Sequence, residues 1–184
     1  MKFNKKVKTI LITGANQGLG FEIAKHFTNK NHILILCGRT EKANNIAKKK
    51  LMEINKDNIF FYKLDVSKKK DVDKFYLKIF KKFKKIDVLI NNAGIYGPKG
   101  YTHQVDWDKL IKTININLIG SIYMIRKILP HFKKKGGGKI IQISGGGAAS
   151  SFPFFSPYSV SKVGVVRFIE NISEEYNKYK IYAN

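Results

Sequence analysis

Tyr158 and Lys162 close the stretch SGGGAASSFPFFSPYSVSK (144–162), four residues apart. On a helix that spacing puts both side chains on one face. A phenol titrates near pH ~10, too high to exchange protons readily at neutral pH without help. An ammonium one turn away favours the phenolate and draws its pKa toward the working range. The pair therefore predicts a proton donor and acceptor for a substrate oxygen. The bland alternative is the start of an ordinary amphipathic helix.

A second stretch, TGANQGLG (13–20), follows an apolar run and opens a helical pattern. Gly14, Gly18 and Gly20 allow a tight turn whose backbone N–H groups, with the helix N-terminus, can approach a pyrophosphate. Placed between strand and helix, the pattern predicts nucleotide binding better than a plain loop. The next apolar run ends in LCGRT, with Gly38 where an acid would favour the ribose hydroxyl of NAD and Arg39 beside it. An arginine there accommodates the extra phosphate of NADP. Gln17 adds no second charge. Asp65, in KLDVS, could accept from an adenine amino group or cap the following helix. GGGK (136–139) looks like a phosphate loop, yet it precedes a strand and is read as a turn.

These residues need a scaffold. Apolar runs at 7–13, 32–37, 58–63, 86–90, 139–143 and 180–183 read as strands, most of them continuous in Ile, Leu, Val and Phe. Such runs fit strands covered on both faces. Helix patterns lie near 18–29, 41–55, 68–83, 106–134 and 157–178. The last has Ser156 as N-cap, Pro157 at its first position, and a stripe of Val160, Val163, Val166, Ile169 and Ile172. Strict alternation predicts an α/β fold with a doubly wound parallel sheet and right-handed crossovers. The chain of 184 residues is one domain on this reading.

The net charge of +22 invites a nucleic-acid reading. Only three of the 35 basic residues are arginines (Arg39, Arg126, Arg167), and the lysines are scattered. A lysine is a point charge without the arginine fork that reads bases. A solvated surface is the expectation, and no specific nucleic-acid partner. No run is long and apolar enough for a membrane span. The opening MKFNKKVKTILITG lacks a signal-peptide cleavage site and reads as a first strand. Cys37 is the single cysteine, which permits no intrachain disulfide and agrees with a cytoplasmic location. Cys37 itself is read as inert.

Four motifs together resemble the short-chain dehydrogenase/reductases, in the form with a TGxxxGxG motif. TGANQGLG is similar to the cofactor motif, NNAG (91–94) to the signature after the fourth strand, NLIG (117–120) to the asparagine segment, and YSVSK (158–162) to YxxxK. The resemblance implies a Rossmann fold with three α/β/α layers and an NAD(P)-dependent oxidoreductase acting on a small carbonyl or alcohol. It implies cofactor contacts from Thr13, Gly14, Asn16, Gln17, Gly18, Leu19 and Gly20. Arg39, Asp65, Val66, Asn91, Ala93 and Gly94 would complete the cleft with Tyr158 and Lys162. NADP is the expected cofactor, with NAD possible, and no metal is implied. Tyr158 would exchange the substrate proton, Lys162 would serve phenol and ribose, and Asn117 would hold a water. Asn115, two residues earlier, would face elsewhere. The family serine falls at position 145, here Gly. Either Ser144 acts through one extra residue in the glycine-rich loop, or the serine is absent; Ser150 and Ser151 read as loop surface.

The same resemblance predicts that the sheet is incomplete after its sixth strand. The substrate-covering region, seventh strand and oligomer contact of an intact homo-oligomeric relative would lie beyond Asn184. Weakened activity and association through an exposed sheet edge follow as expectations. Two other functions stay open, a catalytically inactive NADP(H)-binding scaffold or sensor and a basic nucleic-acid-associated protein. The segment 95–107 is expected to border the pocket.

Overall fold

The computed structural model describes residues 7–184. The basic start of MKFNKKVKTILITG, residues 1–6, lies outside them. Six strands form one parallel sheet: β1 (Thr9–Thr13), β2 (Ile33–Gly38), β3 (Ile59–Lys63), β4 (Val88–Asn91), β5 (Gly138–Gln142) and β6 (Ile181–Ala183). Their order across the sheet is β3-β2-β1-β4-β5-β6. The chain winds outward one way from β1 to β3, then restarts on the other side of β1. That reversal opens a crevice at the C-terminal ends of β1 and β4, where doubly wound sheets bind ligands.

The central strands pair because their apolar runs cannot face water on either side, whereas β5 and β6 leave one face open, with Ile141 and Tyr182 exposed on it. All five residues of β1 are buried, and its central position puts helices over both faces. On one face α3 (Lys69–Lys82), α5 (Ser121–Lys134) and α6 (Ser156–Tyr176) pack Tyr76, Ile79, Ile125, Ile128, Phe132 and Ile169 onto Leu11, Ile35, Leu89 and Ile140. On the other, α1 (Gly18–Thr28) and α2 (Glu41–Met52) bring Ala24 and Leu51 against Ile10, Ile12, Leu34 and Leu36. Truncating one such leucine or isoleucine to alanine costs about 2–5 kcal/mol.

The long helix expected over 106–134 divides. α4 (Trp107–Ile114) begins at Asp106, whose side chain accepts from the Lys109 amide at 2.8 Å. A π-helical stretch, Asn115–Gly120, then carries the chain into α5. The wider turn inserts a residue into the helical period, so apolar spacing alone reads straight through it. In α6 the expected stripe is also rotated. Val160 and Val163 are exposed, and the buried face runs through Ser161, Lys162, Val165, Ile169 and Ile172. Ser156 is the first helical residue instead of the cap, and its hydroxyl meets that of Thr102 at 3.0 Å.

Candidate active site

The glycine-rich loop leaves β1 and enters α1 as its spacing predicts. Gly14 and Gly18 have φ of 64° and 55°, the left-handed region that a β-carbon disfavours. Gly20 packs so closely on the turn that a β-carbon there would overlap the Gly14 carbonyl and the Asn92 amide. Asn92 fastens the loop to the end of β4, its Nδ2 donating to the carbonyls of Thr13 (3.0 Å) and Gly14 (3.2 Å). Thr13 Oγ1 in turn accepts from the backbone N–H groups of Asn92 and Ala93, both at 2.9 Å. Four hydrogen bonds thus tie the turn to the end of β4.

Beside it lies a cleft of about 760 Å³. Of the residues expected there, Gly14, Asn16, Gln17, Gly18, Leu19, Arg39, Asp65, Val66, Ala93 and Gly94 line it. Thr13, Gly20 and Asn91 stand behind the wall as supports. Asn91, buried, donates to the Ser121 carbonyl and to Gln142 Oε1, bracing β4 against α5 and β5. Asp65 does not cap α3, whose N-cap is Lys68. Its Oδ1 accepts from the Ser67 hydroxyl (2.6 Å) and amide (3.1 Å), holding a turn at the cleft edge. Gly38 is closely approached: a β-carbon there would overlap the side-chain amides of Asn44 and Asn16, which would have to move. Asn44 donates to the Gly38 carbonyl at 2.8 Å and accepts from Asn16 at 2.9 Å, linking two sides of the cleft. Sequence reasoning missed Asn44 and Asn92. The first is an unremarkable polar residue within a helix, and the second lies in NNAG between Asn91 and Ala93.

Cys37 is buried at the end of β2 with its Sγ on the Ile12 carbonyl at 3.6 Å, and burial pushes its thiol up to about 12. That fits an inert role. Among the described residues no cluster of His, Cys, Asp or Glu could hold a metal ion.

Tyr158 and Lys162 lie on α6 and do not themselves line the cleft; Lys162 reaches the back of its wall at Gly94. Lys162 is only 4% exposed, and its Nζ donates to the Ile143 carbonyl at 2.9 Å. Burial lowers its pKa, since an ammonium loses hydration there. Lys162 Nζ and Asn117 Oδ1 flank Gly94 on the cleft wall; a β-carbon at Gly94 would lie 3.7 Å from the first and 3.3 Å from the second. Asn117 Oδ1 accepts from the Ile95 amide and its Nδ2 donates to the Ile95 carbonyl, both at 2.8 Å, and to Ser161 Oγ at 3.0 Å. The π-helical turn is what aims Asn117 inward at this point.

One expectation about the phenol changes. Lys162 approaches the Tyr158 ring, its Nζ 5.6 Å from the centroid, while bonding the Ile143 carbonyl. The phenol is raised, first by burial and then by the neighbouring Tyr96, and not lowered by Lys162. The residue facing it across the β5 loop is Gly145, where a β-carbon would overlap the Tyr158 hydroxyl. The backbone at Gly145 is extended (φ −178°, ψ 165°).

A doubly wound sheet with a glycine turn at its switch point defines a Rossmann-type nucleotide-binding fold. Within that class, the short chain dehydrogenase family model matches residues 8–184. The chain belongs to the short-chain dehydrogenase family. It is 34% identical over 178 residues to the 3-oxoacyl-(acyl-carrier-protein) reductase FabG of Buchnera aphidicola, covering 95% of this chain and 69% of that one. With 11-beta-hydroxysteroid dehydrogenase-like 3 of Arabidopsis thaliana it shares 31% identity over 168 residues, 91% of this chain and 54% of the relative. The chain thus spans about half the length of that relative. The levodione reductase crystal structure superimposes with a TM-score of 0.92 at 28% identity, over 96% of this chain and 69% of that one. ElxO with NADP bound gives 0.88 at 30% identity, covering 97% and 71%. The 3-ketoacyl-(acyl-carrier-protein) reductase of Brucella melitensis complexed with NADH gives 0.89 at 29%, covering 96% and 72%.

Proposed function

We propose that the chain is the nucleotide-binding and catalytic portion of an NAD(P)-dependent oxidoreductase acting on a carbonyl/alcohol couple. The observation that carries this reading is the placement of Lys162 and Asn117 around Gly94, on the wall of the cleft that begins at the glycine-rich turn. The cradle fits a dinucleotide: a loop with no side chain at Gly14, Gly18 and Gly20 presents backbone N–H groups, with the N-terminus of α1 beneath them. When bound, the nicotinamide would supply or accept the hydride.

The chain's own residues do the rest. Tyr158 donates a proton from its hydroxyl to the substrate oxygen in reduction and recovers it in oxidation. Lys162 releases the Ile143 carbonyl to serve the ribose and the phenol. Asn117 fixes the Gly94–Ile95 backbone and has one Oδ1 lone pair left for a water. Ser144 polarises the carbonyl if the Gly145–Gly147 segment turns it toward Tyr158, a change that three glycines allow. Arg39, exposed at the cleft edge, favours the 2′-phosphate of NADP, and no acid stands at Gly38 to favour NAD.

A paired fluorescence titration with NADPH and NADH tests the cofactor reading, and NADPH-dependent reduction of a carbonyl panel tests the chemistry. Tight NADPH binding with no turnover on any carbonyl would favour the second reading, a nucleotide-binding sensor. Gly145 opposite the phenol, where the family has serine, is the feature that keeps that reading in view. Among the described residues no helix is long and apolar enough to cross a membrane.

A further inference from the structure

Two loops meet above Tyr158, the one after β4 and the one after β5. The Gly100 amide donates to the Phe154 carbonyl at 3.0 Å, and the Thr102 and Ser156 hydroxyls meet at 3.0 Å. Phe154 holds φ of 67°, a left-handed conformation that disfavours a phenylalanine. Backbone held this way in a binding region serves position over local preference.

What the two loops present is aromatic. Tyr96 leans on the Tyr158 ring with centroids 4.8 Å apart, and Phe152 meets its edge at 6.2 Å. Phe155 stacks on Phe152 at 4.7 Å and touches Tyr96 at 5.9 Å. Yet Tyr96 is 61% exposed and Phe152 40% exposed, so large ring faces remain open beside the phenol. Tyr96 also lines the dinucleotide cleft, making the wall continuous with the place where a hydride acceptor must lie. One cation stands at the rim: Lys99 Nζ lies 5.8 Å from the Phe155 centroid. No salt bridge engages it among the described residues.

We infer that the substrate is an aryl ketone or aryl aldehyde carrying an anionic substituent. Its ring lies against Tyr96 and Phe152, its carbonyl oxygen meets Tyr158, and its anion faces Lys99. This inference rests on the oxidoreductase reading above. Aromatic faces reward a flat ring beyond its buried area, through offset and edge contacts that a puckered aliphatic ring cannot make. A lysine beside such a wall adds a charge-assisted contact to an anion.

The test is binding, which needs no turnover. Calorimetric titrations of the chain, with and without saturating NADP⁺, would compare 4-acetylbenzoate, 4-acetylcyclohexanecarboxylate, acetophenone and levulinate. The expected result is 4-acetylbenzoate tightest, by about tenfold over its saturated counterpart and over neutral acetophenone. Tyr96→Ala and Phe152→Ala should each erase most of the first margin, and Lys99→Ala the second. Equal binding of planar and saturated rings, or no binding of 4-acetylbenzoate in either condition, overturns the inference. So does a dimer that Phe152→Asp dissociates, since the wall would then face a second copy. The comparison of ligands on the unaltered chain stands even if a variant fails to fold. Failure of NADPH to bind in its own titration would sink the oxidoreductase reading separately.

Discussion

Asn117 grips the backbone of Ile95 at both ends, accepting from its N–H and donating to its C=O at 2.8 Å each. This pair joins the π-helical turn before α5 to the loop after β4. Gly94 on the cleft wall and Tyr96 on the aromatic wall are the two chain neighbours of Ile95. A single side chain therefore anchors the segment that joins the cleft wall at Gly94 to the ring that touches Tyr158.

Replacing Asn117 with Ala should cost about 1–3 kcal/mol in urea unfolding, because the part-buried Ile95 amide and carbonyl lose their partners. Asn117→Asp keeps the acceptor but not the donors and should fall between. An unfolding midpoint for Asn117→Ala equal to that of the parent chain would show the clamp to be incidental.

Much of this is legible in the sequence, for physical reasons. The β-strands are short unbroken apolar runs, which few structures other than a doubly covered sheet can accept. The glycine turn announces itself because its residues must tolerate positive φ. Less legible was the π-helical stretch, since residues 106–134 keep a plausible helical pattern while gaining a residue. The face of α6 was misread for a related reason: valines at 160 and 163 count as apolar, whereas burial there falls on Ser161 and Lys162, whose polar groups are paired. Asn44 and Asn92 carry no motif of their own. Their importance comes from which carbonyls tertiary packing leaves within reach.

Tyr158→Phe should leave NADPH affinity nearly intact and lower carbonyl reduction by about a hundredfold or more. Lys162→Ala should weaken both, as its ammonium is placed to serve ribose and phenol. Because burial and Tyr96 raise the phenol above its ordinary value, oxidation of an alcohol, which needs the phenolate, should speed up toward alkaline pH. A flat pH–rate profile for oxidation would remove Tyr158 as its base.

Ser144→Ala and Gly145→Ser separate two accounts of the carbonyl contact. If the loop turns Ser144 onto the substrate, Ser144→Ala should slow turnover by about tenfold or more. Gly145→Ser places a β-carbon on the Tyr158 hydroxyl, so the phenol must shift, at a cost of roughly 1–3 kcal/mol. Unchanged turnover in Ser144→Ala would mean that the phenol alone binds the oxygen.

Cys37 gives a pH dependence whose sign can be worked out. Its thiol rises from 9.0 to about 12 on folding, with burial the cause. Between those values the folded chain holds a proton that the unfolded chain releases, so this contribution is full below pH 9 and is lost as pH climbs toward 12. The slope amounts to at most about 4 kcal/mol across the window. Cys37→Ala should flatten denaturant midpoints measured there. The same burial should make labelling of the thiol as slow as opening of the fold, and fast labelling under native conditions would contradict it.

Cofactor choice can be tested from both sides of the ribose. Arg39→Ala should lose about 1–3 kcal/mol of NADPH affinity and little of NADH affinity, because only the former brings a 2′-phosphate to the guanidinium. The reverse design, an acid at position 38, should not simply convert the site to NAD. A β-carbon there overlaps the Asn44 side chain, and Asn44 is itself committed to the Gly38 and Tyr62 carbonyls and to Asn16. Gly38→Asp should therefore lower stability and weaken both cofactors together. Paired NADPH and NADH titrations on both variants decide the matter. Equal affinity for the two cofactors in the parent chain would discount Arg39. A stable Gly38→Asp that gained NADH affinity would show that the Asn16–Asn44 contact yields more easily than its geometry implies.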